Sequence, residues 1–231
     1  MKKGIIYLSL ISIIMSTSLF YSFGFISSDF LTGEEVKKVL TETGDSIVAT
    51  INGEEITSKE VSLLKYQYAN TTLDENTDIS NFGLIIKIAK DKLIIQESLK
   101  IGISIGVDET NIIIERLNSS FDKNYEKNTE FIRGLGISRK ELIDLMFIQE
   151  STAIVKSRYK INFAQSLNDG KITVSDESLN KSISDFIEYL SSPENQDTQN
   201  ISKTTEHFQK LYNQYIDYIF NNSEFIILEE N

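Results

Sequence analysis

The sequence predicts a mainly α fold with a small antiparallel β element, an N-terminal hairpin plus a C-terminal strand, preceded by an N-terminal transmembrane or signal helix. Three observations predict it: two short β-branched runs around Asn52-Gly53, a succession of capped amphipathic helices after them, and an uncharged apolar run behind Lys2 and Lys3. At 231 residues, 40% hydrophobic and 25% charged, the chain has ordinary globular composition and enough length to bury a core.

The apolar run covers Gly4 to Ser28. A cleavable signal has an apolar centre of roughly 7–15 residues, whereas a bilayer span takes roughly 20, so this run is long enough to span. No alanine-x-alanine site follows it, although Ser16-x-Ser18 and Ser22-x-Gly24 offer small residues to a peptidase. Residues 1–28 therefore read as a signal anchor, with a cleaved signal peptide as the alternative. The two lysines favour a cytoplasmic N-terminus, which places everything after Asp29 outside. Residues 29–46 read as a polar tether with a short helix from Glu34 to Leu40.

The runs Ile47 to Ile51 and Glu54 to Thr57 flank Asn52-Gly53, the dipeptide that best supplies the positive φ angles of a two-residue type I′ turn. Thr57 and Glu60 stand at capping-box spacing, so a helix starts there and covers Ser58 to Ala69. Asn70 to Asn81 is a polar loop. Leu84 to Lys100 repeats apolar residues at helical spacing, and Gly102 followed by Ile103 is the expected Schellman stop. The next helix is expected from Asp108 to about Phe121, with Val107 and Ile112 stapling its start. A short helix over Phe131 to Leu135 precedes a glycine turn at Gly134 to Gly136. Ser138 and Glu141 form a second capping box, opening a helix that runs to about Tyr159. An amphipathic stretch carries Leu179, Ile183, Phe186, Ile187 and Leu190; Thr204 to Asn222 is the last helix, and Glu224 to Leu228 the last strand.

Three segments together resemble the N-terminal domain of the SurA and PrsA group of extracytoplasmic chaperones. They are the pattern VA-x-x-NGE-x-IT-x-x-E from Val48 to Glu60, the helix, Lys-x-Gly-Ile break and acidic-capped helix of residues 84–117, and FIRGLGISRKELIDLMFIQESTAIV at residues 131–155. In that group a segment similar to ITVSDESLNKSI, residues 172–183, leads into a parvulin-type prolyl isomerase domain. Here only SSPENQDTQN follows at residues 191–200, and ten residues cannot contain a domain of about 50 or more. The resemblance thus implies a helical chaperone domain over residues 47–190, a polar loop over 191–200 where the isomerase is missing, and residues 201–231 returning as helix and strand to join the hairpin. It also implies a bacterial cell membrane protein, single-pass with its exported domain on the outer face, or a secreted one after signal cleavage. The absence of cysteine removes the lipid-anchored cysteine that holds many PrsA-like proteins.

Other chemistry is excluded by what the residues lack. Without cysteine there are no disulfides and no thiol catalysis. No glycine-rich phosphate loop supports nucleotide dependence. Asp74, Asn76 and Asp78 mimic the start of a calcium loop, but Ile79 stands where glycine is needed and Ile85 where glutamate is, so the loop reads as solvated. The one histidine, His207, lies in a helix and reads as a surface residue, and no nucleophile elbow accompanies the serines. A net charge of −11 argues against nucleic acid. No catalytic residue, metal site or cofactor is assigned.

The resemblance implies an ATP-independent extracytoplasmic holdase that binds unfolded or newly exported polypeptides without isomerising proline, anchored to the membrane by its N-terminal helix. A dedicated membrane-anchored interaction module for one envelope partner is the alternative, and a peptidyl-prolyl isomerase-like foldase the outsider. Aromatics and methionine suit adaptable client binding. The candidates are Tyr66, Tyr68, Phe82, Phe121, Tyr125, Phe131, Met146 and Phe147, each with a place in the core as the competing role. Tyr68, Phe82 and Tyr125 stand out because polar loops surround them.

Overall fold

Asn52 and Gly53 hold φ values of 50° and 81°, the pair of positive angles that a two-residue type I′ turn requires. They join β1 (Ile47–Ile51) to β2 (Glu54–Thr57) in a computed structural model that describes residues 33–69, 80–192 and 201–228. Before the hairpin lies α1 (Gly33–Glu42); after it come α2 (Ser58–Ala69), α3 (Asn81–Lys100), α4 (Val107–Lys123), α5 (Tyr125–Leu135), α6 (Arg139–Asn168), α7 (Glu177–Ser191), α8 (Ile201–Asn221) and β3 (Phe225–Ile227). The described residues are thus mainly helical, with one small sheet.

That sheet is antiparallel throughout, in the order β2-β1-β3. Ile51 faces Glu54 on one side and Phe225 on the other. The turn itself helps to seat β3: the Asn52 N–H donates to the Glu224 carbonyl at 2.7 Å, and its side-chain oxygen accepts from the Glu224 N–H at 3.0 Å. Two strands alone are marginal in water, and the third supplies the missing ladder. Ala49, Ile51 and Ile56 are fully buried, as are Leu84 and Ala89 of α3, which packs on the sheet. Gln96 of α3 closes the polar edge, donating to the Ile51 carbonyl at 3.2 Å and to Glu54 at 2.8 Å. Lys92, one turn earlier, pairs with Glu54 and Glu60 at 3.4 and 2.8 Å.

Both capping boxes form. Thr57 N–H donates to Glu60 at 2.8 Å and Ser138 N–H to Glu141 at 2.7 Å, with the hydroxyls accepting from the glutamate N–H groups at 3.3 and 3.2 Å. The Schellman stop of α3 forms as well, with Ile103 N–H reaching the Ser98 carbonyl at 2.9 Å. At α4, however, the cap is Gly106, whose N–H donates to Glu109 at 3.1 Å. Val107 therefore lies inside the helix, and with Val107 at 79% and Ile112 at 63% exposure the expected staple is absent.

The described chain divides into two compact units inside α6. The first comprises residues 33–155 with 224–228, the second residues 156–223. The boundary thus falls far from residue 190, and of the last two elements only β3 belongs with the hairpin, while α8 belongs with the second unit. In the first unit α1 meets α5 backbone to backbone: a Cβ on Gly33 would lie 2.0 Å from the Phe131 carbonyl, and one on Gly134 would lie 3.0 Å from the Glu34 nitrogen. α5 is longer than expected, beginning at Tyr125, because buried Asn128 donates to the Phe121 carbonyl at 3.0 Å and continues the chain directly from the end of α4. α4 and α6 share a cluster of Ile113, Leu117, Phe121, Leu142 and Ile143. Arg139 clamps that pair, bonding both oxygens of Asp122 at 2.7 and 3.1 Å and lying 4.6 Å from the centre of the Phe121 ring; Arg116 pairs with Glu150 farther along.

In the second unit α6 continues nine residues beyond the expected end at Tyr159, since Phe163, Ala164 and Leu167 repeat the apolar spacing and are buried. It stops at Gly170, φ 63°, with Lys171 N–H on the Ser166 carbonyl. Asp176 then caps α7, its carboxylate accepting from Leu179 N–H at 2.7 Å.

The expected membrane localisation is corrected. No helix among the described residues is long and apolar enough to cross a membrane. A span needs about 20 consecutive apolar residues, and α3, at 20 residues, is broken by Lys87, Lys90, Asp91, Lys92 and Glu97. The anchor assigned to residues 1–28, the first part of the tether, the Asp74-Asn76-Asp78 segment and most of the polar stretch at 191–200 lie outside the described residues.

Candidate functional site

The eight predicted site residues all belong to the first unit and fall into two groups. Tyr66, Tyr68 and Phe82 sit at the end of α2 and the start of α3, ends that Lys65 and Asn81 join through a 3.1 Å hydrogen bond. Tyr66 is half-buried and its hydroxyl donates to Glu35 of α1 at 3.3 Å; burial, followed by the Glu35 charge, pushes its pKa above the ordinary phenol value. Tyr66 therefore ties α2 to α1. Tyr68 is half-buried, and Phe82 is 56% exposed in the first turn of α3.

The second group gathers where α4, α5 and α6 meet. Phe121 is 2% exposed and belongs to the core cluster, which removes it as a surface contact. Its position follows from helical spacing with Ile113 and Leu117, one apolar residue per turn on the face that meets α6. Phe131, Met146 and Phe147 are partly buried against the same cluster. Tyr125 is 58% exposed and stands edge-on to Phe121, ring centres 6.2 Å apart. Of the candidates, only Phe82 and Tyr125 present most of their surface to solvent.

Sequence reasoning missed a more exposed aliphatic set. Leu99 and Ile101 at the end of α3, Val107 and Ile112 on α4, and Leu145 and Ile148 on α6 each expose more than half of their surface. Their signal was present but subtle. On α4 the core stripe is Ile113, Leu117 and Phe121, and Ile112 points away from it; on α6, Leu145 and Ile148 stand a turn apart and fall outside the arc of Leu142, Ile143 and Met146 that meets the core cluster. An apolar residue that falls outside its own helix's core stripe is the recognisable feature. The helices that carry these side chains are held by ion pairs and caps, so the exposure does not arise from loose elements.

The chemistry such a surface offers is apolar contact. Among the described residues no group of three or more histidine, cysteine, aspartate or glutamate side chains could hold a metal ion. His207 is exposed, its ring 4.8 Å from that of Tyr189. No family model, curated protein or solved structure matches the chain significantly. A functional reading therefore rests on the residues and their geometry.

Proposed function

We propose that this chain is a polypeptide-binding protein of the SurA/PrsA type, a holdase that captures unfolded or partly folded chains without nucleotide and without isomerising proline. The observation that carries the reading is the exposed apolar set on the first unit: Phe82, Leu99, Ile101, Val107, Ile112, Tyr125, Leu145 and Ile148. Single exposed apolar residues are ordinary on protein surfaces, but several on the outer faces of neighbouring rigid helices suit contact with another chain. The strand order β2-β1-β3, in which the chain's last strand joins its first, supports the finer resemblance.

Fully burying one large apolar side chain contributes about 1.5–3 kcal/mol, and ordering both partners offsets much of it. A few such contacts give weak, reversible binding, which suits capture and release.

Light scattering of an unfolded client diluted with and without the purified chain, in the absence of ATP, tests the proposal. Suppression of aggregation at near-stoichiometric ratio is expected, together with its loss when Val107, Ile112, Leu145 and Ile148 are all replaced by serine. No suppression across several unrelated clients would overturn the holdase reading, and a single crosslinked species would then point to a dedicated partner module.

A further inference from the structure

The two edges of the sheet are finished differently. Along β2, Lys92 donates to the Glu55 carbonyl at 2.8 Å and pairs with Glu54, and the register shifts between Ile47 and Ala49. Charged side chains and irregular register blunt an edge against further pairing. β3, the opposite edge, shows neither: Phe225, Ile226 and Ile227 are uncharged and pair with β1 without a shift. Ile226, Ile227 and Leu228 are all exposed.

The register fixes which backbone groups of β3 face outward. The Asn52 N–H reaches the Glu224 carbonyl at 2.7 Å and the Leu228 N–H reaches the Val48 carbonyl at 2.9 Å, so Glu224, Ile226 and Leu228 turn their backbone groups to β1. Ile227 lies between two of these and turns its N–H and C=O away from β1. No described residue bonds to either group. Ile227 stands opposite fully buried Ala49 yet is itself 44% exposed, as follows from a described sheet order that ends at β3.

An open backbone donor and acceptor on an edge strand are complementary to a second extended backbone, and the apolar side chains beside them select apolar neighbours. Charge narrows the choice of occupant. Glu224 precedes the strand, Glu229 and Glu230 follow Leu228 in sequence, and no basic residue occurs after Lys210. An antiparallel second copy centred on Ile227 would set Glu224 of one chain opposite Glu230 of the other, and like charges directly opposite destabilise a strand pair. Basic residues at the ends of an apolar strand would meet the same carboxylates favourably.

We propose that the outer edge of β3 takes up an extended, apolar polypeptide segment flanked by basic residues, which adds a strand to the sheet. The surface is built from other residues than the helix faces of Val107 and Ile148, so it stands whether or not the chain suppresses aggregation.

The test titrates the full chain at low ionic strength with a labelled peptide in which valine and threonine alternate between pairs of lysines, read by fluorescence anisotropy and by amide exchange at Ile227. Saturable binding is expected, with exchange at Ile227 slowed several-fold. The same peptide flanked by glutamates should bind several-fold more weakly, by a margin that shrinks as salt is raised. The lysine-flanked peptide with its central amides N-methylated should not bind. Ile227→Pro removes the outward N–H and leaves the bonds of β3 to β1, since an edge strand tolerates proline where its missing N–H faces outward; it should weaken binding several-fold. The N-methylated peptide probes the same ladder on the unaltered chain should that variant not fold. Failure of the lysine-flanked peptide to bind, equal binding of the N-methylated or glutamate-flanked peptide, or unchanged exchange at Ile227 on saturation would each overturn the proposal. So would slowing of that exchange with chain concentration in the absence of peptide, which would give the edge to a second copy.

Discussion

The two units solve the same problem with different residues. In the second, α6, α7 and α8 enclose rings: Phe163 stacks on Tyr215 with centres 4.5 Å apart, and Phe208 lies 6.0 to 6.3 Å from Phe163, Phe186 and Tyr212. Its single exposed large apolar residue among those described is Ile187, at 38%. The first unit is built from aliphatic stripes tied at their margins by Arg139, Arg116, Lys92 and Gln96, and leaves eight large apolar side chains more than half exposed. Large rings, each contributing extensive apolar area, allow three helices to satisfy one interior. The first unit instead spreads isoleucine and leucine around several helix circumferences, so some necessarily face outward.

Mutations at matched residues sharpen or break this contrast. The largest expected effect is Phe208→Ala, which empties the centre of the ring cluster and should cost about 3–5 kcal/mol by urea denaturation. Phe82→Ala should stay within about 0.5 kcal/mol, because the ring is mostly solvated already; equal costs for the two would break the comparison. Next, Arg139→Ala removes the Asp122 clamp and the contact with Phe121, with an expected loss of about 1–2 kcal/mol after allowance for its partial exposure. Replacing Thr57 with alanine deletes one partner of the first capping box and should cost about 1 kcal/mol, again by urea midpoint.

The smallest effect concerns acid. The Ser138 N–H and hydroxyl hold the Glu141 carboxylate below its ordinary pKa. A folded pKa below the unfolded one means that this stabilisation is fully present above the ordinary carboxylate range and is lost as pH falls through the lowered value. Melting temperature measured against pH should therefore fall more steeply on the acid side for the wild-type chain than for Glu141→Gln. Parallel curves would show that the cap adds nothing to the acid limb.

Features governed by neighbours a few residues apart were legible from the start. Asn52-Gly53 made the turn, Thr57 with Glu60 and Ser138 with Glu141 made caps, and Gly102 ended α3, because each depends on backbone chemistry within one helical turn. The start of α4 was misplaced by one residue because Glu109 serves Gly106, a glycine with no capping side chain to announce it. Among the candidate site residues Phe121 failed most clearly: its aromatic character was visible, but its burial depended on α6 meeting α4.

By itself, then, the sequence determined the hairpin, the box-capped starts of α2 and α6 and the order of elements, since local hydrogen bonds and side-chain spacing decide them. Only the tertiary structure decided that β3 lies beside β1, that the chain divides within α6, that Ile112 and Ile148 stay outside their cores, and that Lys160 lies beside the rings of Phe208 and Tyr212. Each of these depends on which distant surfaces meet, and that follows from the shared burial of many residues and not from the identity of any one.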